Sequence, residues 1–312
     1  MMPRQVCVAG ATGYLGSRLV AQLRARSMPV VAILKDRSCE ADQQRLNALG
    51  ATLAFVDASR TESYVPALSD AEIAISCMAS GNVHVDSTND FWAIDRDANI
   101  RFGLEAVRAG AKQVILVATF EGRDSRGLTE FSEAKESAVD AIGAACSHAG
   151  VAFTVIRPTA YFSDLTNRAF DSVQKRGRYT VIGDGLSRIN PVDGDDVAVF
   201  IADCIGNPEI AGREHQIGGP DIFTFREIGL LAAEVIGLPA PLKIRSIPSW
   251  SLRFIAAMAA MVGLVSSKSR RSAAILQWMI YSSTHDAVAA ACGTRRLYEE
   301  FCSKRNTLRG AV

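Results

Sequence analysis

Val6-Cys7-Val8-Ala9-Gly10-Ala11-Thr12-Gly13-Tyr14-Leu15-Gly16 runs from an apolar stretch through three glycines into an amphipathic segment. It predicts a strand, a tight turn and a helix start. Glycine suits such a turn when a diphosphate must approach the backbone, because a Cβ would hold the anion away from the amides at the helix N-terminus. The spacing is Gly-x-x-Gly-x-x-Gly, with a β-rich run before it and the helical pattern Arg18-Leu19-Val20-Ala21-Gln22-Leu23 after it, as the motif requires. Gly10, Thr12, Gly13, Tyr14, Leu15 and Gly16 are therefore the first candidate cofactor-binding residues. A plain tight turn between packed elements is the competing reading.

Working outward, Pro29-Val30-Val31-Ala32-Ile33-Leu34 is a continuous apolar run, as in a parallel strand covered on both faces. It ends in Lys35-Asp36-Arg37-Ser38. At the end of a second strand of this kind an acid selects NAD, whereas a base accepts the 2′-phosphate of NADP. Lys35 and Arg37 flank Asp36, which favours NADP. A polar helix closed by Gly50 leads to the strand Thr52 to Val56, with Asp57 and Ala58 at the adenine end. Ala71 to Gly81 reads as a fourth strand entering a small-residue loop, where Cys77, Met78 and Ala79 leave room for the nicotinamide ribose. From Asn89 to Ala109, Phe91, Ile94, Ala98, Phe102 and Ala106 recur at helical spacing and predict a crossover helix. Gln113 to Ala118, ending at Thr119, is the fifth strand, and Val151 to Ile156 the sixth, followed by Arg157 and a loop stiffened by Pro158.

This alternation predicts an α/β fold, a doubly wound parallel sheet with right-handed crossovers and ligands at the carboxyl ends of its strands. The expected organisation is a dinucleotide-binding core over residues 1–160. A smaller mixed α/β and helical substrate region, interleaved with the core, follows over 161–312.

The predicted helix from Thr129 to Ala149 carries Phe131-Ser132-Glu133-Ala134-Lys135. Ordinary short-chain reductases place Tyr at the first of these positions and Lys at the last: the phenol passes a proton, and the ammonium lowers the phenol pKa and holds the nicotinamide ribose. Lys135 can still hold a ribose, but Phe131 cannot transfer a proton, so carbonyl reduction through this pair is excluded. Thr119 and Tyr161 are the hydroxyls left as catalytic candidates beside Lys135. Asp193, Asp195 and Asp196 read as helix-capping acids, and Thr224-Phe225-Arg226-Glu227 as a capping box.

Several motifs now agree with one family. The triplet Gly10, Gly13, Gly16, whose first gap is typical of short-chain dehydrogenase relatives, stands beside Ser76-Cys77-Met78-Ala79-Ser80, Phe131-x-x-Ala134-Lys135 and Arg157-Pro158-Thr159-Ala160-Tyr161-Phe162. Gly183-Asp184-Gly185, Phe200-Ile201-Ala202-Asp203-Cys204 and Ile217-Gly218-Gly219-Pro220 complete the set. Together, over roughly residues 4 to 245, the chain resembles the divinyl chlorophyllide 8-vinyl-reductases, atypical short-chain reductases built on a Rossmann sheet. The resemblance implies NADPH as cofactor and the vinyl group of a large, apolar chlorophyll precursor as substrate, and that family similarly carries Phe-x-x-Ala-Lys. The tail departs from the pattern: the acidic Asp-Pro-x-Thr-Gly turn is missing, and only Gly293 to Phe301 resembles the family's ending. A non-catalytic NAD(P)-binding sensor or assembly factor stays open as an alternative, as does a reductase of a quinone, flavonoid or sugar nucleotide.

Composition narrows the classes further. With 48% hydrophobic residues, 21% charged and a net charge of +1, nothing points to nucleic acid. Seven scattered cysteines without Cys-x-x-Cys spacing read as reduced thiols, and Met1 to Gln5 leaves no room for a signal peptide, so the expected compartment is the cytoplasm. The four histidines have no ligand spacing, and no metal is expected. In the tail, Trp250, Phe254, Ala257, Met258, Met261 and Val265 form one helical stripe. Three readings compete: ordinary core, which leads because apolar stripes usually mean burial; a wall of an apolar substrate pocket; and peripheral membrane contact through residues 250–271.

Overall fold

The computed structural model describes residues 5–36, 38–80, 90–263 and 266–310. In chain order the elements begin with β1 (Val6–Ala9), α1 (Tyr14–Ala25), β2 (Val30–Lys35), α2 (Glu40–Ala48), β3 (Thr52–Val56), α3 (Val65–Leu68) and β4 (Ile73–Ser76). A π-helical segment (Trp92–Ala98) runs into α4 (Asn99–Arg108), before β5 (Gln113–Val117), α5 (Glu130–Ala149) and β6 (Ala152–Pro158). Then come α6 (Phe162–Arg176), β7 (Arg178–Ile182), β8 (Arg188–Ile189), α7 (Gly194–Asp203), β9 (Glu214–Gly218), β10 (Phe223–Thr224) and α8 (Phe225–Ile236). The chain closes with β11 (Lys243–Ile247), α9 (Ser249–Val262), α10 (Ser267–Thr284), β12 (Ala290–Ala291) and α11 (Leu297–Gly310).

One eight-stranded sheet has the order β12-β9-β6-β5-β4-β1-β2-β3. β1 pairs with β2 and β4, β2 with β3, β4 with β5 and β5 with β6, all parallel. The core order 3-2-1-4-5-6 is that of a Rossmann sheet, as the alternating pattern predicted. From β1 the chain winds outward through β2 and β3, then returns to the other side of β1 at β4. The winding therefore reverses between β1 and β4, which opens a crevice at their carboxyl ends.

The chain divides into two compact units, residues 1–157 with 197–215, and 158–196 with 216–312. In the first, Phe102, Ala106, Val114, Leu116, Ala138 and Ile142 pack the helices onto the sheet. α5 starts where Thr129 Oγ1 accepts the Ser132 amide at 3.1 Å and stops at left-handed Gly150 (φ 67°), which gives it the span predicted from the sequence.

The same unit holds an ion cluster that the sequence did not reveal. Arg157 and Glu136 are both fully buried and make a two-pronged pair, Nη1 to Oε1 at 2.6 Å and Nη2 to Oε2 at 2.9 Å. Arg157 Nε donates to Glu214 Oε1 at 2.7 Å, and Nη1 also donates to the Thr119 carbonyl at 2.8 Å. Every face of the guanidinium is thereby used. Gly122 makes room for the cluster, since a Cβ there would stand 2.2 Å from Glu136 Oε1.

In the second unit, Phe162, Phe170, Tyr179, Ile228, Leu297 and Phe301 form a separate core. The predicted capping box opens α8, with the Thr224 amide donating to Glu227 Oε2 and the Glu227 amide to Thr224 Oγ1. The buried Asn190 side chain bonds the backbone of Ala289 in both directions and donates to the Gly219 carbonyl, imitating a strand partner. The aspartates at the start of α7 divide their work. Asp193 accepts the Asp195 amide at 2.8 Å as a cap, but Asp196 reaches the tail instead, accepting the Thr294 and Arg295 amides at 3.1 and 3.0 Å and Arg295 Nη1 at 2.7 Å.

The tail stripe corrects the leading expectation of burial. Trp250 is 72% exposed, Phe254 66% and Met261 58%, and among the described residues of α9 only Ala256 is buried. The physical reason is that α9 packs along α10 through its small-residue side and turns the large residues outward. Val265 lies outside the described residues.

Arg157→Met strands the Glu136 carboxylate in the core, which should cost about 3–5 kcal/mol of unfolding free energy in urea titrations. Burial pushes the Glu214 carboxyl up, but the Arg157 hydrogen bonds outweigh it and hold the group below its usual 4.5. Its contribution is therefore complete above that value and lost as pH falls through the lower folded pKa, so wild-type stability should drop more steeply in acid than that of Glu214→Gln.

Candidate functional site

The glycine turn stands at the carboxyl end of β1, on the reversal in winding. Gly10 has a φ of 76°, and a Cβ on it would lie 2.9 Å from the Cys77 carbonyl oxygen, at the end of β4. Gly16 faces the turn so closely that its Cβ would stand 2.1 Å from the Gly10 oxygen. Only bare backbone fits at either position. Gly13 is exposed at the N-cap of α1, where no side chain caps the helix. The first amides of a helix have no acceptor within it, and the macrodipole adds positive potential there. A cradle that excludes side chains and presents amides fits a dinucleotide diphosphate.

Thr12 and Tyr14 are half-buried and Leu15 is buried, at the start of α1. Arg18, which sequence reasoning passed over as a helix residue, lies over the Tyr14 ring at 3.9 Å and donates to the Tyr14 carbonyl. It brings a cation to the same first turns; Tyr14 and Arg18 at helical i, i+4 spacing were the available signal.

The β4 loop and Lys135 form one buried network. Lys135 is only 3% exposed, on the stripe of α5 shared by Ala138 and Ile142, and such a charge needs a partner. Its Nζ donates to the Met78 carbonyl at 2.6 Å and lies 3.1 Å from Asp95 Oδ1. Asp95 Oδ2 accepts the Ser80 amide at 3.2 Å. Asn99 accepts the Ser76 hydroxyl at 2.6 Å and donates to the Ile94 carbonyl at 2.9 Å. Asp95 sits in the π-helical segment, and Asn99 begins α4, where sequence periodicity predicted a plain helix from Asn89, itself outside the described residues. Widened turns of this kind occur often at functional sites. Burial pushes the Cys77 thiol up to about 12 despite the Lys135 ammonium, so it stays neutral near pH 7 and packs rather than reacts.

Phe131 meets Phe91 edge to face at 5.3 Å, an apolar contact where the common reductases carry a phenol. Thr119 follows β5, and its Oγ1 is buried with no hydrogen-bond partner among the described residues. A buried hydroxyl costs free energy unless something bonds it, so a ligand or water at this point is favoured. At the carboxyl end of β2, the strand beside β1, Lys35 is exposed and Arg37 lies outside the described residues. Asp57, exposed after β3, spends its carboxylate on the Ser59 amide and hydroxyl at 2.9 and 2.7 Å, which holds its pKa below the usual range. The Ala58 carbonyl accepts Arg101 at 3.4 Å.

Gly10, Gly13, Gly16, Cys77, Met78 and Lys135 are thus brought together, with Asp95 and Asn99 as the partners that sequence reading missed. Pro158 and Tyr161 belong to the second unit, where Pro158 ends β6 and Tyr161 stands at the N-cap of α6. A cleft of about 310 Å³ lined by Arg123, Asp140, Arg213 and Glu214 shares no residue with this assembly. Among the described residues no cluster of His, Cys, Asp and Glu could hold a metal.

A family profile described as NAD(P)H-binding matches residues 10–208, beginning on the glycine turn. The chain belongs to this NAD(P)H-binding family. Its cofactor class is therefore NAD(P)H. Divinyl chlorophyllide a 8-vinyl-reductase, chloroplastic, of Cucumis sativus is 30% identical over 226 residues, 69% of this chain and 52% of that one. The chain thus spans about half the length of this relative. Among solved structures, the NADPH-dependent quinone oxidoreductase QOR2 of Escherichia coli, complexed with NADPH, superposes with a TM-score of 0.68 at 17% identity, over 97% of this chain and 99% of that one. AtPrR2 with NADP+ and (+)pinoresinol gives 0.72 at 17% identity, over the same shares. At such identity these structures attest the fold alone.

Gly13→Ala separates cradle from fold, because φ −71° accepts any residue and the exposed turn needs to give by only a few tenths of an ångström to take a Cβ 3.2 Å from the Gly10 oxygen. Stability should change by less than about 1 kcal/mol, while NADPH affinity, read by fluorescence titration, falls at least about tenfold.

Proposed function

We propose that the chain is an NADPH-dependent reductase that saturates an activated carbon–carbon double bond on a large, mostly apolar ligand, most specifically the vinyl group of a divinyl chlorophyllide-like tetrapyrrole. The observation that carries this reading is a buried Lys135 held against the β4 loop while Phe131 replaces the phenol. Reduction of a carbonyl needs an acid at the oxygen; a conjugated vinyl spreads the arriving charge into its macrocycle and makes a weaker demand. The name of the cucumber relative supports the same substrate.

When bound, the reduced nicotinamide supplies the hydride. Lys135 has three N–H donors, and the one left over from Met78 and Asp95 would hold a ribose hydroxyl. Its buried charge, fixed by Asp95, keeps that end of the cofactor from shifting. The Thr119 hydroxyl, buried and unpartnered among the described residues, would relay a proton from water to the carbon that does not receive hydride. Tyr161 is the second candidate hydroxyl. Lys35 and Arg37 would accept the 2′-phosphate that distinguishes NADPH from NADH. Phe131, backed by buried Phe91, would offer the ligand an apolar surface and exclude water.

A non-catalytic NAD(P)H-binding sensor is the second reading, and it too is favoured by Phe131, because binding needs no acid. Stopped-flow absorbance decides between them. NADPH should oxidise only when divinyl chlorophyllide is present; tight binding without turnover would support the sensor. Thr119→Val removes a hydroxyl that bonds no group among the described residues, so NADPH affinity should hold while turnover falls about 10²-fold. With Lys35→Ala and Arg37→Ala, preference for NADPH over NADH should collapse; equal affinity of the wild type for both would remove the 2′-phosphate assignment.

A further inference from the structure

We infer that the α9–α10 hairpin is a docking surface for an anionic lipid bilayer, into whose interfacial layer the outer face of α9 settles. Trp250, Phe254, Ile255, Met258, Met261 and Val262 are all between 45% and 72% exposed. At 100° per residue they lie within one arc of the helix, and Arg253, also exposed, stands at its edge. Large apolar faces left in water mark interaction sites. α9 is 14 residues long, or about 21 Å, short of the roughly 30 Å of a hydrocarbon core. Among the described residues no helix is long and apolar enough to cross a membrane. Such a helix can lie in the interface but not span it.

Charge selects the occupant. Between Glu234 and Asp286 the chain carries Lys243, Arg245, Arg253, Lys268, Arg270 and Arg271, and no carboxylate. Lys243 and Arg245 are exposed on β11, just before α9 begins. Exposed Lys268 and Arg270 lie just past its far end, where Gly263 allows a close turn: a Cβ there would stand 2.8 Å from Arg270 Cα. An apolar face with cations at both ends matches acyl chains below a layer of anionic headgroups. A second copy of the chain would bring the same cations, from a stretch without a carboxylate, against one another.

Co-sedimentation of the full chain with vesicles tests this. The protein should pellet with phosphatidylcholine vesicles containing about 30 mol% phosphatidylglycerol and stay in solution with phosphatidylcholine alone. Trp250 emission should shift to the blue on binding, and about 1 M salt should release the protein as the Debye length shrinks to about 3 Å. Phe254→Glu with Met258→Glu should weaken partition at least about tenfold while leaving thermal unfolding unchanged, since both side chains are exposed. Three results would overturn the assignment: no binding to anionic vesicles, equal binding to neutral ones, or a concentration-dependent dimer in sedimentation velocity that the double variant abolishes.

Discussion

The site depends on a contact between two stretches of backbone. Gly10, in a left-handed conformation, lies against the carbonyl of Cys77, so the end of β1 and the end of β4 meet with no side chain between them. The sheet reverses its winding between these two strands, and a crevice opens where the helices diverge. Gly16 brings α1 against the same turn, which aims the helix start at the crevice. One close approach therefore sets strand pairing, helix direction and the placement of the amides.

The first unit buries two charged clusters that serve different ends. Lys135, Asp95 and Asn99 tie the β4 loop to α5 and the π-helical segment, fixing the loop against which the glycine turn packs. Arg157, Glu136 and Glu214 have no donor to spare for a ligand and hold β6, α5 and β9 together. Removing ions from water costs several kcal/mol each, and good geometry does little more than offset it. Their value is definition: each pair has one arrangement that satisfies all its partners, whereas an apolar core tolerates small slips.

What could be read from the sequence was local. The glycine triplet, the span of α5, left-handed Gly50 and the Thr224–Glu227 box depend on neighbours within a few residues, and each stands as expected. Parallel strands covered on both faces announced themselves as unbroken apolar runs. The Lys135 position was legible from its motif, but Asp95, 40 residues away, was not, because a widened turn throws off the 3.6-residue count. Nothing local in the sequence marks Glu136 as a buried partner; only the fold brings Arg157 to it. The α9 stripe misled for a related reason: periodicity tells which residues share a face, not whether anything covers it.

Asp196 gives the end of the chain a structural duty. Its carboxylate, nearly buried, is satisfied by the Thr294 and Arg295 amides and the Arg295 guanidinium, and Gly293 is bare so that the turn can close over it. The final helix supplies Leu297 and Phe301 to the second core. A protein cut before Gly293 would not lose a dispensable extension; it would uncover an anion and a hydrophobic seam at once. Fusion partners and affinity handles are better joined beyond the last turn than in place of it.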